Sequence, residues 1–255
     1  MAYILLIFLL LNTSLFYSTI FNKKIEQTIF LSIFSYILIL FTFGVLGSLS
    51  LGYILIIIYN ILLLGFNIYS FIKKKINLNK NVLTMGLILF IISYIVIVWQ
   101  SLGKLASSWD EFSHWALVVK NMYGLNNLGV GSDSTVMIKD YLSGTSLFQY
   151  FCVKLCGEFK ESMLYVGMDL IILSVIVPIF SVFKDRRNFS GYILFFILFF
   201  IPTLFYPTIY YSLYVDGILG LTFAYGLYSY FNNRENKLNA FDIINLIASF
   251  SMLIF

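Results

Sequence analysis

Eight runs of apolar residues dominate this chain, at roughly 2–21, 29–46, 51–71, 83–101, 163–183, 191–206, 211–231 and 241–255. A helix needs about 20 such residues to cross the hydrocarbon of a bilayer. Lipid offers backbone amides no partner, so each run is expected to close its own hydrogen bonds as a helix. The expected fold class is an all-α membrane protein with about eight transmembrane helices. Composition agrees. The 255 residues are 60% hydrophobic and 11% charged, against about 25% charged in soluble domains. A water-soluble core of this length could not hide so much Phe, Ile and Leu.

Residues 2–21 read as a first span rather than a signal peptide, since no basic segment precedes them and no small-residue cleavage site follows. The last run reaches Phe255 without a flanking charge, so the chain is expected to continue in a longer protein. Phe, Ile, Lys and Asn are abundant while Ala and Arg are scarce, a bias typical of an AT-rich bacterial genome. Cys152 and Cys156 are four apart and fit no C-x-x-C redox or zinc pattern, so they read as small packing residues.

The charges between the runs alternate. Lys23 and Lys24 follow the first run, and Lys73, Lys74, Lys75 and Lys80 the third. Lys184, Arg186 and Arg187 follow the fifth, and Arg234 and Lys237 the seventh. The connections after the second and sixth runs carry none. By the positive-inside rule the odd connections are cytoplasmic and the N-terminus is outside. A net charge of +4 spread in this way fits topology signals and no nucleic-acid partner. The expected localisation is a bacterial cell membrane, multi-pass, with the N-terminus and the long loop 102–162 extracytoplasmic.

That loop holds two apolar-periodic stretches, Glu111 to Leu128 and Ser143 to Phe159, joined by the flexible Gly129-Val130-Gly131-Ser132-Asp133-Ser134. Both suit amphipathic helices lying in the membrane interface. Two units are expected: an N-terminal three-span segment, 1–82, and a membrane core, 83–255, that carries the outer loop.

Three groups of residues could do chemistry. The first is Trp109-Asp110-Glu111-Phe112-Ser113-His114-Trp115, where two adjacent carboxylates and the only histidine fall within five residues. On a helix Asp110 and His114 are i, i+4 and Glu111 and His114 are i, i+3, so they can share a face. Such a set could hold a general base, or a divalent cation such as Mg or Mn on Asp110, Glu111 and His114. The plainer reading makes the carboxylates helix caps and the tryptophans interfacial anchors. The second is Lys139-Asp140-Tyr141-Leu142-Ser143-Gly144-Thr145-Ser146, where Lys139 and the amides opening a helix could receive a phosphate; an ordinary cap is the alternative. The third is intramembrane: Asp169 in the fifth run, and Tyr214-Val215-Asp216 in the seventh. Ionisable groups at that depth are costly and normally face a polar cavity.

Together these residues resemble the membrane glycosyltransferases of the GT-C fold, in particular the bacterial branch related to protein mannosyltransferases and aminoarabinose transferases. In that superfamily an acidic residue or Asp-Glu pair follows a span at the start of a large outer loop with two juxtamembrane helices, and a Tyr-Pro-Pro-Gly-like motif opens the second. Trp109-Asp110-Glu111 fits the first position. Asp140-Tyr141-Leu142-Ser143-Gly144-Thr145 fits the second, with Leu142 and Ser143 where prolines are usual. The acidic pair usually follows the family's first span, whereas here it follows the fourth, with three spans before that helix. The resemblance covers roughly 85–230.

It implies a lipid-linked donor, a polyprenyl-phosphate sugar, and an envelope glycan, lipid or protein acceptor at the outer face. Asp110, with Glu111, would be catalytic, taking the acceptor's proton. His114, Lys139, Asp140, Tyr141, Tyr214 and Asp216 would bind substrate, Lys139 on the departing phosphate. A polysaccharide polymerase or ligase is the nearest rival, but those enzymes more often rely on outer-loop Arg and His, and this loop has no Arg. A transporter would show repeated halves with broken helices, which the sequence lacks. A non-catalytic scaffold would need the carboxylate–histidine cluster to be a cap alone.

Overall fold

A computed structural model describes residues 1–139, 144–183, 185–232 and 238–252. Within them the chain is helical and contains no strand. The helices are α1 (Ala2–Phe21), α2 (Ile25–Val45), α3 (Leu49–Ile72), α4 (Met85–Ser101), α5 (Ala116–Leu125), α6 (Gly144–Lys154), α7 (Ser162–Ile176), α8 (Phe189–Phe205), α9 (Asp216–Asn232) and α10 (Ala240–Ser251). A tighter 3-10 turn, Val177–Val182, extends α7.

Local chemistry sets several boundaries. Asn22 stops α1 in the left-handed region, at φ 51°. The Thr84 hydroxyl accepts from Leu87 N (3.2 Å) to open α4. Asn239 and Asp242 open α10 with a reciprocal pair of side-chain-to-backbone bonds, 3.1 and 3.2 Å.

Four segments are long and apolar enough to cross a membrane: Ala2–Phe21, Ile25–Val45, Leu49–Ile72 and Ser162–Val182. Three more apolar helices, α4, α8 and α10, are shorter than the eight-span expectation requires. Unsheltered apolar side chains mark where lipid belongs. Ile54, Ile58, Ile61 and Leu62 of α3, Ile92 and Ile95 of α4, and Phe196, Phe200 and Leu204 of α8 are all exposed. Water would not tolerate apolar patches of this extent.

Successive long helices run back and forth between two ends. At one end Lys23 pairs with Asp242 (3.4 Å), and the Lys24 ammonium donates to Ser181 O and Phe183 O, each at 2.8 Å. At the other, the Tyr94 hydroxyl donates to Tyr3 O (2.6 Å), and the Tyr3 hydroxyl lies 3.3 Å from Ser162 Oγ.

One apolar core runs from Leu6 to Met252 and crosses residue 82 without a break. Its centre is α7, every residue of which is buried. The α1–α3 bundle is tied by a buried polar knot. Asn60 Oδ1 accepts from Asn12 (3.2 Å) and Thr13 (3.1 Å), Asn60 Nδ2 donates to the Tyr36 hydroxyl (2.7 Å), and Asn67 Nδ2 donates to Asn12 O (2.8 Å). Polar side chains of this kind hold helices together where lipid removes the hydrophobic drive.

The long loop departs from the interfacial expectation. Helix α6 is buried all round from Gly144 to Val153, packed against α2, α5 and α7. Phe148 and Phe151 stack on one another, and Phe151 meets Tyr36 and Tyr53. A helix with no outward polar stripe does not lie on a membrane surface; aromatic packing has drawn it into the protein. Helix α5 keeps an exposed side at Lys120. Its left-handed cap, Asn126, reaches back to open α3, accepting from Leu49 N on its carbonyl (3.0 Å) and from Ser50 N on its side chain (2.7 Å). Asn126 thus pins the loop to the α2–α3 corner.

Candidate functional site

The Trp-Asp-Glu-Phe-Ser-His-Trp segment forms a π-helical turn, Glu111–Trp115, in which Ala116 N donates to Glu111 O. Such wide turns are rare and recur at functional sites. Here the turn leads into α5 and separates the two adjacent carboxylates: Glu111 is 2% exposed, while Asp110 is exposed. His114 is buried beside Trp115, edge to face at 4.7 Å.

Glu111 is held from four directions. Its Oε2 accepts from Ser107 N (3.2 Å), Ser108 N (3.3 Å) and the Tyr165 hydroxyl (3.0 Å), and its Oε1 accepts from Leu213 N (2.9 Å). Burial pushes this carboxyl up, but the amides of Leu213, Ser107 and Ser108 and the Tyr165 phenol outweigh it and hold it below the ordinary glutamate range. Glu111 therefore stays ionised. It clamps the start of the loop to α7 and to the segment before α9.

Lys104 completes the cluster. Its ammonium donates to Tyr211 O (2.7 Å) and sits over the Tyr165 ring, 3.9 Å from the centroid. Burial lowers its pKa, and the carboxylates of Asp169 and Glu111 offset part of that. Asp169 is buried on α7, 3% exposed. The Tyr214 hydroxyl lies 3.2 Å from Ser108 Oγ, two residues before Asp110. Asp216 is exposed in the first turn of α9, a favourable place for a carboxylate. Burial lowers the pKa of His114, with the charge of Asp110 opposing, so the imidazole is neutral near pH 7.

The structure thus gathers Glu111 and Lys104 about Tyr165, ties Tyr214 to Ser108 beside them, and sets Asp110 and His114 on the same turn. It does not bring in Lys139, whose ammonium donates to Gly131 O (3.0 Å) within its own loop. Asp140 and Tyr141 lie outside the described residues. Asp110, Glu111 and His114 do not form a metal ligand set. Among the described residues no three His, Cys, Asp or Glu groups converge to hold an ion, and the oxygens of Glu111 are turned onto N–H and O–H donors. Sequence reasoning missed Lys104, Ser108 and Tyr165. Lys104 had a signal, as a lone cation just past the end of α4 opposite the intramembrane Asp169.

A groove of about 380 Å³ runs between α1 and α4, lined by Tyr3, Ile7, Leu11, Ile91, Tyr94 and Val98. A chain of contacts joins its Tyr3 end to the cluster. Tyr3 touches Ser162, and the neighbouring Glu161 accepts from Ala106 N (2.6 Å) beside Ser107.

No protein-family model matches the chain, and no curated protein or solved structure is significantly similar to it.

Proposed function

We propose that this protein is a membrane glycosyltransferase that moves a sugar from a polyprenyl-phosphate carrier to an acceptor at the outer face, with Asp110 as its base. The observation carrying this reading is the division of labour between adjacent carboxylates: Glu111 is committed to four donors, and Asp110 is left exposed on the turn that Glu111 anchors. A base must be ionised, rigidly mounted and open to its substrate. Asp110 meets the last two conditions.

In the reaction the acceptor hydroxyl oxygen attacks the anomeric carbon while Asp110 takes its proton. The bond from that carbon to the phosphate oxygen breaks, and the phosphate leaves with the electron pair on its prenyl carrier. Lys104, which sits over the ring of the Tyr165 that donates to Glu111, rather than Lys139, which is tied within its own loop, would stabilise the developing phosphate charge. The α1–α4 groove offers an apolar bed for the prenyl chain. Eight spans with the N-terminus outside would put this end of the bundle on the extracytoplasmic side. Lys23, Lys24, Lys73, Lys74, Lys75, Lys80, Arg186 and Arg187 would then all lie in cytoplasmic connections.

The test is transfer by Asp110→Asn in reconstituted membranes. A well-placed base contributes about 10²–10⁴-fold, so the variant should insert normally and lose activity on that scale. Full activity in a normally inserted variant would remove Asp110 from the chemistry.

A further inference from the structure

The end opposite the carboxylate cluster holds a cavity of about 730 Å³, between the start of α2, the start of α4 and the segment that follows α7. Its size falls in the range of ligand sites, about 300–1,000 Å³. Among the described lining residues, Lys24, Lys80 and Arg186 supply three cations against the carboxylate of Asp185. That carboxylate is already engaged, accepting from Arg187 N at 2.9 Å. The Lys24 ammonium has three N–H donors and spends two of them on Ser181 O and Phe183 O. Leu83, Met85, Val182 and Phe183 form the apolar part of the wall. Leu83 and Val182 are themselves 46% and 57% exposed.

We infer that this cavity binds the headgroup of an anionic phospholipid from the leaflet at the basic end. The cations meet the phosphate, and the upper acyl chains lie over Leu83 and Val182. A free phosphate would have no use for exposed apolar residues beside the cations. A lipid needs both, at the height where headgroup gives way to hydrocarbon. Basic pockets between membrane helices on the cytoplasmic side are suited to such headgroups. The inference requires only that the helices sit in a bilayer, so it stands or falls apart from any sugar transfer.

The test is native mass spectrometry of protein released from mixed phosphatidylglycerol and phosphatidylcholine bilayers. It compares wild type with the double variant Lys80→Gln, Arg186→Gln. Both side chains are exposed, so the variant should fold; Lys24 is left in place because it caps backbone carbonyls. Wild type is expected to retain phosphatidylglycerol over phosphatidylcholine, and the double variant to lose that retention about tenfold or more. Lys73→Gln, at the same end but outside the cavity, should retain the lipid as wild type does. Equal retention by wild type and the double variant, or of both lipids by wild type, would overturn the proposal. So would full displacement of the lipid by excess inorganic phosphate, which would make the site one for a free anion.

Discussion

Replacing Glu111 by glutamine separates its anchoring role from the base role proposed for Asp110. The carboxylate accepts from three backbone amides and one phenol while 2% exposed. Hydrogen bonds to a charged group contribute about 1.5–3 kcal/mol, and neutral ones about 0.5–1.5. Glutamine keeps one acceptor oxygen. With that oxygen at the Oε2 position, the bonds from Ser107, Ser108 and Tyr165 survive but weaken by about 1 kcal/mol each. The new amide nitrogen then faces the Leu213 N–H, leaving two donors opposed at about 1–3 kcal/mol. The total is about 4–6 kcal/mol, large for any single substitution. It corresponds to an apparent melting midpoint lowered by about 10 °C or more in detergent, read by tryptophan fluorescence. Asp110→Asn, on the exposed side of the same turn, should stay within about 0.5 kcal/mol of wild type. The reasoning fails if the stability losses are reversed, or if Glu111→Gln melts as wild type does.

Other consequences are as direct. Glu111 is held below its ordinary range, so its stabilisation is complete above the usual glutamate pKa and lost as pH falls through the folded value. His114 is also held low. The unfolded chain binds that proton first, so stability falls as pH drops below about 6.5; melting curves against pH should lose this upper step in His114→Gln. Asn60→Leu breaks the α1–α3 knot and should cost about 1–2 kcal/mol, measured as a lowered midpoint with unchanged helix content by circular dichroism. Orientation can be read by cysteine labelling in a background of Cys152→Ala and Cys156→Ala. A membrane-impermeant maleimide should reach Lys139→Cys in intact cells, and Lys73→Cys only after permeabilisation; the opposite pattern would invert the topology.

The helices were legible because apolar run length is a local property. The run expected at 163–183 is Ser162–Val182, and the one at 2–21 is α1. The run at 211–231 becomes a helix only from Asp216, because residues just before it fold over the cluster and Leu213 gives its amide to Glu111. That contact spans 102 residues, and no periodicity encodes it. The same limit hid the burial of α6. Its apolar spacing fits a surface stripe as well as a packed core, and only Tyr36 and Tyr53 on distant helices decide between them. Within the acidic pair the residue types marked the place. The separation of a buried Glu111 from an exposed Asp110 comes with the π-turn, which the sequence does not announce.

The most direct measurement uses the wild-type protein in proteoliposomes loaded with radiolabelled polyprenyl-phosphate sugars and a pool of envelope acceptors. The account predicts that label leaves the prenyl carrier and becomes covalently attached to an acceptor, at a rate that Asp110→Asn abolishes. Label that stays on the carrier while crossing the bilayer, or that never moves with any donor, would contradict it.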